Sequence, residues 1–259
     1  MIERLKNDPS YMMVAGHRGY KAAFPENTLL SFKQALDLNV DMIEFDLHLS
    51  KDGVLMVIHD GTLERTTNGF GPVGDYTMEE LKRLDAGGWF GPEFTGLQIP
   101  TLEELCTLLQ AYPEVLLNVE IKPSTDAIQA ADQAVAMLDK FGYLPRCVFT
   151  SFDAAVIAHI HDTYGLKTQG FPGEVMKGFL PGEGGTYSKM WVIALDMVLL
   201  TPERVKEFHE LGMLVWSYCP DTAEQVQHSF ECGVTGMTCN NPLPALEYRR
   251  RVGSAAAGV

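Results

Sequence analysis

Hydrophobic residues along this chain switch repeatedly between two periods. Short apolar or alternating runs at 12–17, 41–47, 115–121, 146–151, 166–171, 192–200, 213–218 and 234–239 read as β-strands. Between most of them, at 27–38, 101–111, 125–141, 153–163, 202–211 and 221–232, apolar residues recur at helical spacing. Thr201-Pro202 suits a helix start, with the hydroxyl as N-cap and the proline in the first turn. A strand-then-helix order kept up over 259 residues predicts parallel strands with crossover helices, closed as a (β/α)8 TIM barrel in one domain spanning 1–259. A doubly wound open sheet is the alternative, but no Gly-rich phosphate loop follows the first strand to support it.

Two segments break the rhythm. Residues 43–48 alternate, Lys51-Asp52-Gly53 follows, and 54–58 is apolar, which predicts a β-hairpin. A two-residue loop would set His59 opposite Asp46; a four-residue loop would set it opposite Glu44. Segment 60–100 is rich in glycine and aromatic residues and predicts an insertion over one end of the barrel. Its Trp89, Phe90 and Phe94 either line a substrate entrance or only anchor the insertion.

Bulk composition narrows the function. Hydrophobic residues make up 46% and charged residues 21%, as in ordinary globular proteins. No apolar run reaches membrane-spanning length, and the first residues lack a signal-peptide core, so a cytoplasmic protein is expected. A net charge of −14 weighs against nucleic acid or an anionic membrane as partner. It also means that any anionic substrate needs local positive charge. Cysteines 106, 147, 219, 232 and 239 show no C-x-x-C spacing and are expected to be reduced core residues. Arg249-Arg250-Arg251 is expected to end a helix, and Gly253 to Val259 to be disordered.

Chemistry concentrates in a few short motifs. Glu44 and Asp46, two apart on a strand, project from the same side. Converging carboxylates repel unless a hard cation such as Ca²⁺ or Mg²⁺ joins them. His17 and His59 can exchange protons near neutral pH. His17, Asp46, Glu120 and Lys122 all fall at or near the C-terminal ends of predicted strands, where TIM barrels carry their active sites. The combination suits metal-assisted cleavage of a phosphate ester. His48 shares the face of Glu44 and Asp46 and is expected mainly to pack. His159, His161, His209 and His228 fall in predicted helices or loops and are assigned no role.

Gly16-His-Arg-Gly, Pro25-Glu-Asn-Thr, Ile43-Glu-Phe-Asp-Leu-His-Leu-Ser-Lys-Asp-Gly, Val57-Ile-His-Asp, Leu63-Glu-Arg-Thr-Thr-Asn-Gly, Ile99-Pro-Thr-Leu-Glu-Glu, Val119-Glu-Ile-Lys and Ser151-Phe-Asp occur in that order. In these stretches the chain resembles the glycerophosphodiester phosphodiesterase family, whose fold is a TIM barrel with a small insertion after the second strand region. The resemblance implies one divalent cation, Ca²⁺ or Mg²⁺, on Glu44, Asp46 and Glu120. It implies phosphate contacts from Arg18 and Lys122, and His17 and His59 as the acid–base pair, with His17 assigned as base and His59 as acid. Glu26 and Asn27 would brace the site, with helix capping by Asn27 as the plainer reading. Trp216 would wall the glycerol or alcohol pocket, or else pack in the core.

Two stretches depart from the family pattern. Trp216-Ser-Tyr-Cys219 stands where members often carry Trp-Thr-Val-Asn, and Cys239-Asn-Asn-Pro242 where they often carry Thr-Asp-x-Pro. Both changes are expected to bear on substrate specificity and to leave the acid–base set untouched. The implied reaction releases glycerol 3-phosphate and an alcohol from a small-molecule glycerophosphodiester. A lysophospholipid or another phosphodiester as substrate, or a non-catalytic phosphoester-binding barrel, are the alternatives.

Overall fold

The computed structural model describes residues 2–8 and 11–256, with side chains through Val252. Helices are α1 Arg4–Asn7, α2 Leu29–Asp37, α3 Met78–Leu81, α4 Leu102–Leu109, α5 Ala127–Lys140, α6 Ala154–Tyr164, α7 Pro202–Glu210, α8 Ala223–Glu231 and α9 Leu243–Ala256. Strands are β1 Met13–His17, β2 Met42–Leu49, β3 Leu55–Val57, β4 Leu116–Ile121, β5 Cys147–Thr150, β6 Thr168–Gly170, β7 Val192–Asp196, β8 Leu214–Tyr218 and β9 Gly236–Cys239. Parallel pairing runs β1-β9-β8-β7-β6-β5-β4-β2 and closes through β1–β2, so the predicted TIM barrel is the observed fold. β3 lies outside the barrel, antiparallel to β2. Between β6 and β7 the chain forms only the short 3₁₀ turns Gly173–Val175 and Thr186–Lys189.

Strand alternation divides the barrel into an outer and an inner core. On β2, Ile43, Phe45 and Leu47 face the helices, and Phe45 meets Phe32 of α2 edge-on at 6.2 Å. The inward residues nearer the N-terminal strand ends are apolar: Met13, Ala15, Met42, Leu116, Val148, Val192 and Trp216. Ile2 and Leu5, on and beside α1, pack on that layer. Further along the same strands the inward residues become polar, so the barrel has a dry floor under a polar mouth. Many helices start from a side chain that accepts an orphan backbone N–H: Thr28, Thr77, Thr101, Asp153, Thr201 and Thr222.

Several expectations are corrected. The cap of α2 is Thr28 rather than Asn27, which frees the Asn27 side chain for the site. The hairpin pairs Leu47 with Val57 and Leu49 with Leu55, leaving a longer loop over 50–54 tied by Ser50. That register carries position 59 across from Phe45, between the two pairings considered, and Ile58 N–H still bonds the Asp46 carbonyl at 3.1 Å. Arg249 lies inside α9 and pairs with Asp41, which also accepts from Val14 N–H at 2.8 Å and from Tyr11. Helix α9 runs through 253–256 of the tail expected to be disordered, and 257–259 lie outside the described residues.

The segment after β3 builds a small core from Met56, Ile58, Leu63, Val73, Leu81, Ala86 and Ile99. Trp89, Phe90 and Phe94 meet edge-on, and Phe94 continues through Phe24 to Tyr20 in the loop after β1. These rings pin the insertion to that loop and do not line the central pocket. Among the described residues no helix is long and apolar enough to cross a membrane.

Trp216 is corrected as a substrate-wall residue. It is fully buried in the floor layer, meeting Trp191 edge-on at 6.3 Å. Gly236 makes room for it: a Cβ there would lie 2.7 Å from Trp216 Cδ1 and 2.6 Å from Met13 Cε. Trp216→Phe is therefore expected to cost about 1–3 kcal/mol, lowering Tm by about 2–4 °C for each kcal/mol, with substrate KM unchanged. A raised KM at unchanged Tm in thermal melts and kinetics would return Trp216 to the substrate pocket.

Candidate active site

The polar mouth sits at the C-terminal strand ends and encloses ≈ 140 Å³. It is lined by His17 at the end of β1 and Arg18 just after it, Glu44 on β2, His59 after β3, Glu120 on β4 and Lys122 just after it. Register explains the convergence: His17 pairs with Glu44 between β1 and β2, and Asp46 with Glu120 between β2 and β4. Three motifs distant in sequence thus arrive at neighbouring positions on adjacent strands.

Glu44, Asp46 and Glu120 are buried, and one oxygen from each lies within 4.8 Å of the others. Burial, then the charges of Asp46 and Glu120, push the Glu44 carboxyl well up. Burial and Asp46 raise Glu120 as well. Burial pushes Asp46 the same way, but Lys122 and Arg18 outweigh it and hold that carboxyl low. Lys122 Nζ reaches Glu120 at 2.5 Å and Asp46 at 3.2 Å. Glu44 Oε1 is buried and has no hydrogen-bond partner among the described residues. A carboxylate cluster with too little positive charge and an orphaned oxygen fits a divalent cation, and all-oxygen donors suit a hard one.

A second tier holds these groups in place. The Arg18 side chain lies between Glu26 (Nη1 to Oε1, 2.8 Å) and Asp46 (Nε to Oδ2, 3.3 Å), and Arg18 N–H donates to Glu44 at 2.9 Å. Asn27 Nδ2 donates to Asp46 at 2.8 Å. Arg18 and Asn27 both adopt left-handed backbone, at φ 53° and 56°, and Asn27 N–H closes the turn onto the Arg18 carbonyl. Strain of this kind persists where surrounding contacts over-determine it. Glu26 also accepts two bonds from Arg65, and although burial pushes its carboxyl up, Arg65 and Arg18 hold it at about 2. Arg65 continues to Asp60 at 2.6 and 2.9 Å, and Asp60 accepts from His59 Nδ1 at 2.6 Å. His48 Nε2 lies 3.1 Å from the His59 carbonyl, so it steadies the main chain of His59.

His17 Nδ1 contacts Asn240 Oδ1 at 2.6 Å and the Cys219 sulfur at 3.2 Å, while Nε2 faces Glu44 Oε2 at 3.8 Å. Burial, then Arg18 and Lys21, lower His17 to about 3 and keep the imidazole neutral. Burial also lowers His59, against the pull of Asp46 and Asp60. The two departures from the family pattern, Cys219 and Asn240, therefore both touch His17, contrary to the expectation that the acid–base set was unaffected.

Sequence reasoning missed much of the lining: Asn118, Thr150, Gln169, Phe152, Phe171 and Tyr218. Asn118 donates to Gln169 at 3.1 Å and accepts from Thr150, giving a floor of amides and a hydroxyl. Phe152 stacks on Phe171 at 3.6 Å, and Tyr218 meets Phe171 edge-on, making one apolar wall. Polar residues at inward positions of otherwise apolar strands were the available signal: Asn118 is two before Glu120, and Thr150 pairs with it.

A buried acidic cluster, two histidines and flanking cations meet at the mouth of the TIM barrel. Comparison with known proteins gives the family. The model of the glycerophosphoryl diester phosphodiesterase family matches residues 17–243. A Bacillus altitudinis glycerophosphodiester phosphodiesterase is 40% identical over 92% of this chain and 98% of its own length. A Silicibacter pomeroyi crystal structure, provisionally named a glycerophosphoryl diester phosphodiesterase, superimposes with TM-score 0.85 at 26% identity, covering 97% of each chain. An Oleispira antarctica phosphodiesterase, solved with the product sn-glycerol-3-phosphate, shares the fold with TM-score 0.81 at 23% identity, over 93% of this chain and 97% of its own. The chain belongs to the glycerophosphoryl diester phosphodiesterase family and is an enzyme of that class.

Glu120→Gln removes one charge from the cluster and strands Lys122. Calorimetric titration with Ca²⁺ and Mg²⁺ is expected to show affinity at least about tenfold weaker than wild type. An unaltered titration would remove Glu120 from the ligand set.

Proposed function

We propose that this chain hydrolyses glycerophosphodiesters to glycerol 3-phosphate and an alcohol, with one divalent cation, Ca²⁺ or Mg²⁺, held by Glu44, Asp46 and Glu120. The carrying observation is that two histidines, each anchored through Nδ1, share one mouth with the acidic cluster and with Arg18 and Lys122. Residues 1–259 act as one TIM-barrel unit, with 60–100 as an insertion beside the mouth.

When bound, the cation would polarise and orient the phosphate oxygens as a Lewis acid. Arg18 and Lys122 add positive charge for the non-bridging oxygens. His17 takes the proton of a hydroxyl nucleophile at Nε2 as that oxygen bonds to phosphorus. His59 donates its Nε2 proton to the departing alcohol oxygen as the old P–O bond breaks. Hydrogen-bond partners favour this division. The Asp60 carboxylate on His59 stabilises an imidazolium ready to give a proton, whereas the Asn240 amide on His17 adds no charge and suits a neutral base. The nucleophile is water or the substrate's own glycerol 2-hydroxyl; the second route forms a cyclic phosphate that water then opens. The floor of Asn118, Thr150 and Gln169 offers hydrogen bonds to a polyol, and the Phe152–Phe171 wall covers its carbon edge. Product binding in the Oleispira protein is consistent with this substrate class.

The test is glycerol 3-phosphate release from glycerophosphocholine and glycerophosphoethanolamine, on EDTA-stripped protein with Ca²⁺ or Mg²⁺ restored. Release only with metal is expected. His17→Ala and His59→Ala are each expected to lose about 10²–10⁴ in turnover while keeping fold and metal affinity. Wild-type turnover in either variant would end that histidine's acid–base role, and metal-bound wild type inert toward both substrates would overturn the substrate assignment.

A further inference from the structure

Asn240 is linked to more than His17. Its Nδ2 donates to Asp221 Oδ2 at 2.6 Å, and the other Asp221 oxygen accepts Asn241 N–H at 2.9 Å. Asp221 is itself placed by α8: Gln225 Oε1 accepts Asp221 N–H at 2.9 Å within the capping arrangement of Thr222. The Asn240 carbonyl accepts Ala22 N–H at 3.1 Å, so the loop after β9 is also fastened to the loop after β1.

The direction of these bonds has one consistent solution. An ionised carboxylate only accepts, so the end of Asn240 facing Asp221 must be its NH₂ group. The opposite end, facing His17, is then the carbonyl oxygen, which also only accepts. His17 Nδ1 must therefore carry a proton, and in the neutral ring Nε2, toward Glu44 and the mouth, keeps its lone pair. Without Asp221, Asn240 could turn its amide over, Nδ1 would accept, and the proton would move to Nε2. The Cys219 sulfur next to Nδ1 is too weak a partner to decide the tautomer, since a thiol can donate or accept.

We propose that Asp221 and Asn240 are positioning residues that lock His17 in the Nδ1–H tautomer and aim its free Nε2 at the reacting centre. Neither touches the substrate. The kinetic consequence rests on the reading of His17 as the base in the proposed function; the tautomer does not. Partners of this kind typically carry about 10–100-fold in activity.

The test uses the full chain in four forms: wild type, Asp221→Asn, Asn240→Asp and the double exchange. Asp221→Asn leaves two donors, Asn240 Nδ2 and Asn241 N–H, competing for one acceptor. Asn240→Asp sets a second carboxylate against Asp221. In the double exchange Asp at 240 accepts from both His17 and Asn at 221, whose oxygen accepts Asn241 N–H, so every donor is again matched. Nitrogen-15 spectra of histidine-labelled protein, with the His17 signals assigned by their loss in His17→Ala, are expected to show protonated Nδ1 and unprotonated Nε2 in wild type and in the double exchange. Asp221→Asn is expected to lose that pattern and about 10–100-fold in kcat, with KM within about twofold, whereas Asn240→Asp keeps protonated Nδ1 because its carboxylate can only accept; the double exchange is expected to recover most of the kcat lost in Asp221→Asn. Protonated Nε2 in the wild type, or Asp221→Asn with unchanged spectra and kcat, would overturn the proposal. A wild-type Nδ1–H signature together with full activity in His17→Ala would instead overturn the role of His17 in the reaction and leave the tautomer lock standing.

Discussion

Three carboxylates buried at one end of a closed barrel are the constraint on which the rest of this molecule depends. Glu44, Asp46 and Glu120 would repel one another in a low-dielectric site, and burying such charge unpaired is prohibitive. Each neighbour offsets part of that cost. Lys122 bridges two of the acids, Arg18 sits against Asp46, Asn27 donates to Asp46, and the Arg18 backbone N–H donates to Glu44. The compensation is incomplete, as the raised Glu44 and Glu120 carboxyls and the unpartnered Glu44 oxygen indicate. That residual imbalance is what a cation would complete.

The compensating groups are themselves connected. Glu26 joins Arg18 to Arg65, Arg65 joins Asp60, and Asp60 anchors His59. One polar chain therefore runs from the buried acid Asp46 to a histidine contributed by the far side of the hairpin. On the opposite side, Asp221 and Asn240 reach His17 from the last two strand–helix units. Both histidines are gripped at Nδ1 and present Nε2, but one grip is a carboxylate and the other an amide. The asymmetry matches a division of labour between acid and base. In the proposed reaction the work falls to that grafted network, and the barrel supplies its coordinates.

Much of this was legible along the chain. Alternation located the parallel strands, and pairs such as Glu44 and Asp46, or Glu120 and Lys122, stood out because strand geometry puts residues two apart on one face. What the pattern could not reveal was depth within the barrel. Trp216 and Tyr218 share a strand face, yet the first belongs to the dry floor and the second to the mouth. Only the stagger of eight strands decides which layer a position enters. Hairpin register failed for a related reason: the Ser50 side chain organises a longer loop than Asp52-Gly53 alone suggested. Cys219 and Asn240 stood out as departures from the family pattern, but their contacts with His17, about two hundred residues away, were invisible because nothing local marks them, and Asp221 enters only through Asn240.

The most direct measurement is a crystal structure of the protein grown with Mn²⁺, located by its anomalous scattering. One ion among Glu44, Asp46 and Glu120, at roughly 2.0–2.6 Å from an oxygen of each, with Lys122 drawn away from Glu120, is the expected result. An ion bound elsewhere, or none at saturating Mn²⁺ with Lys122 still bridging the two acids, would contradict the view that the buried cluster exists to hold a cation.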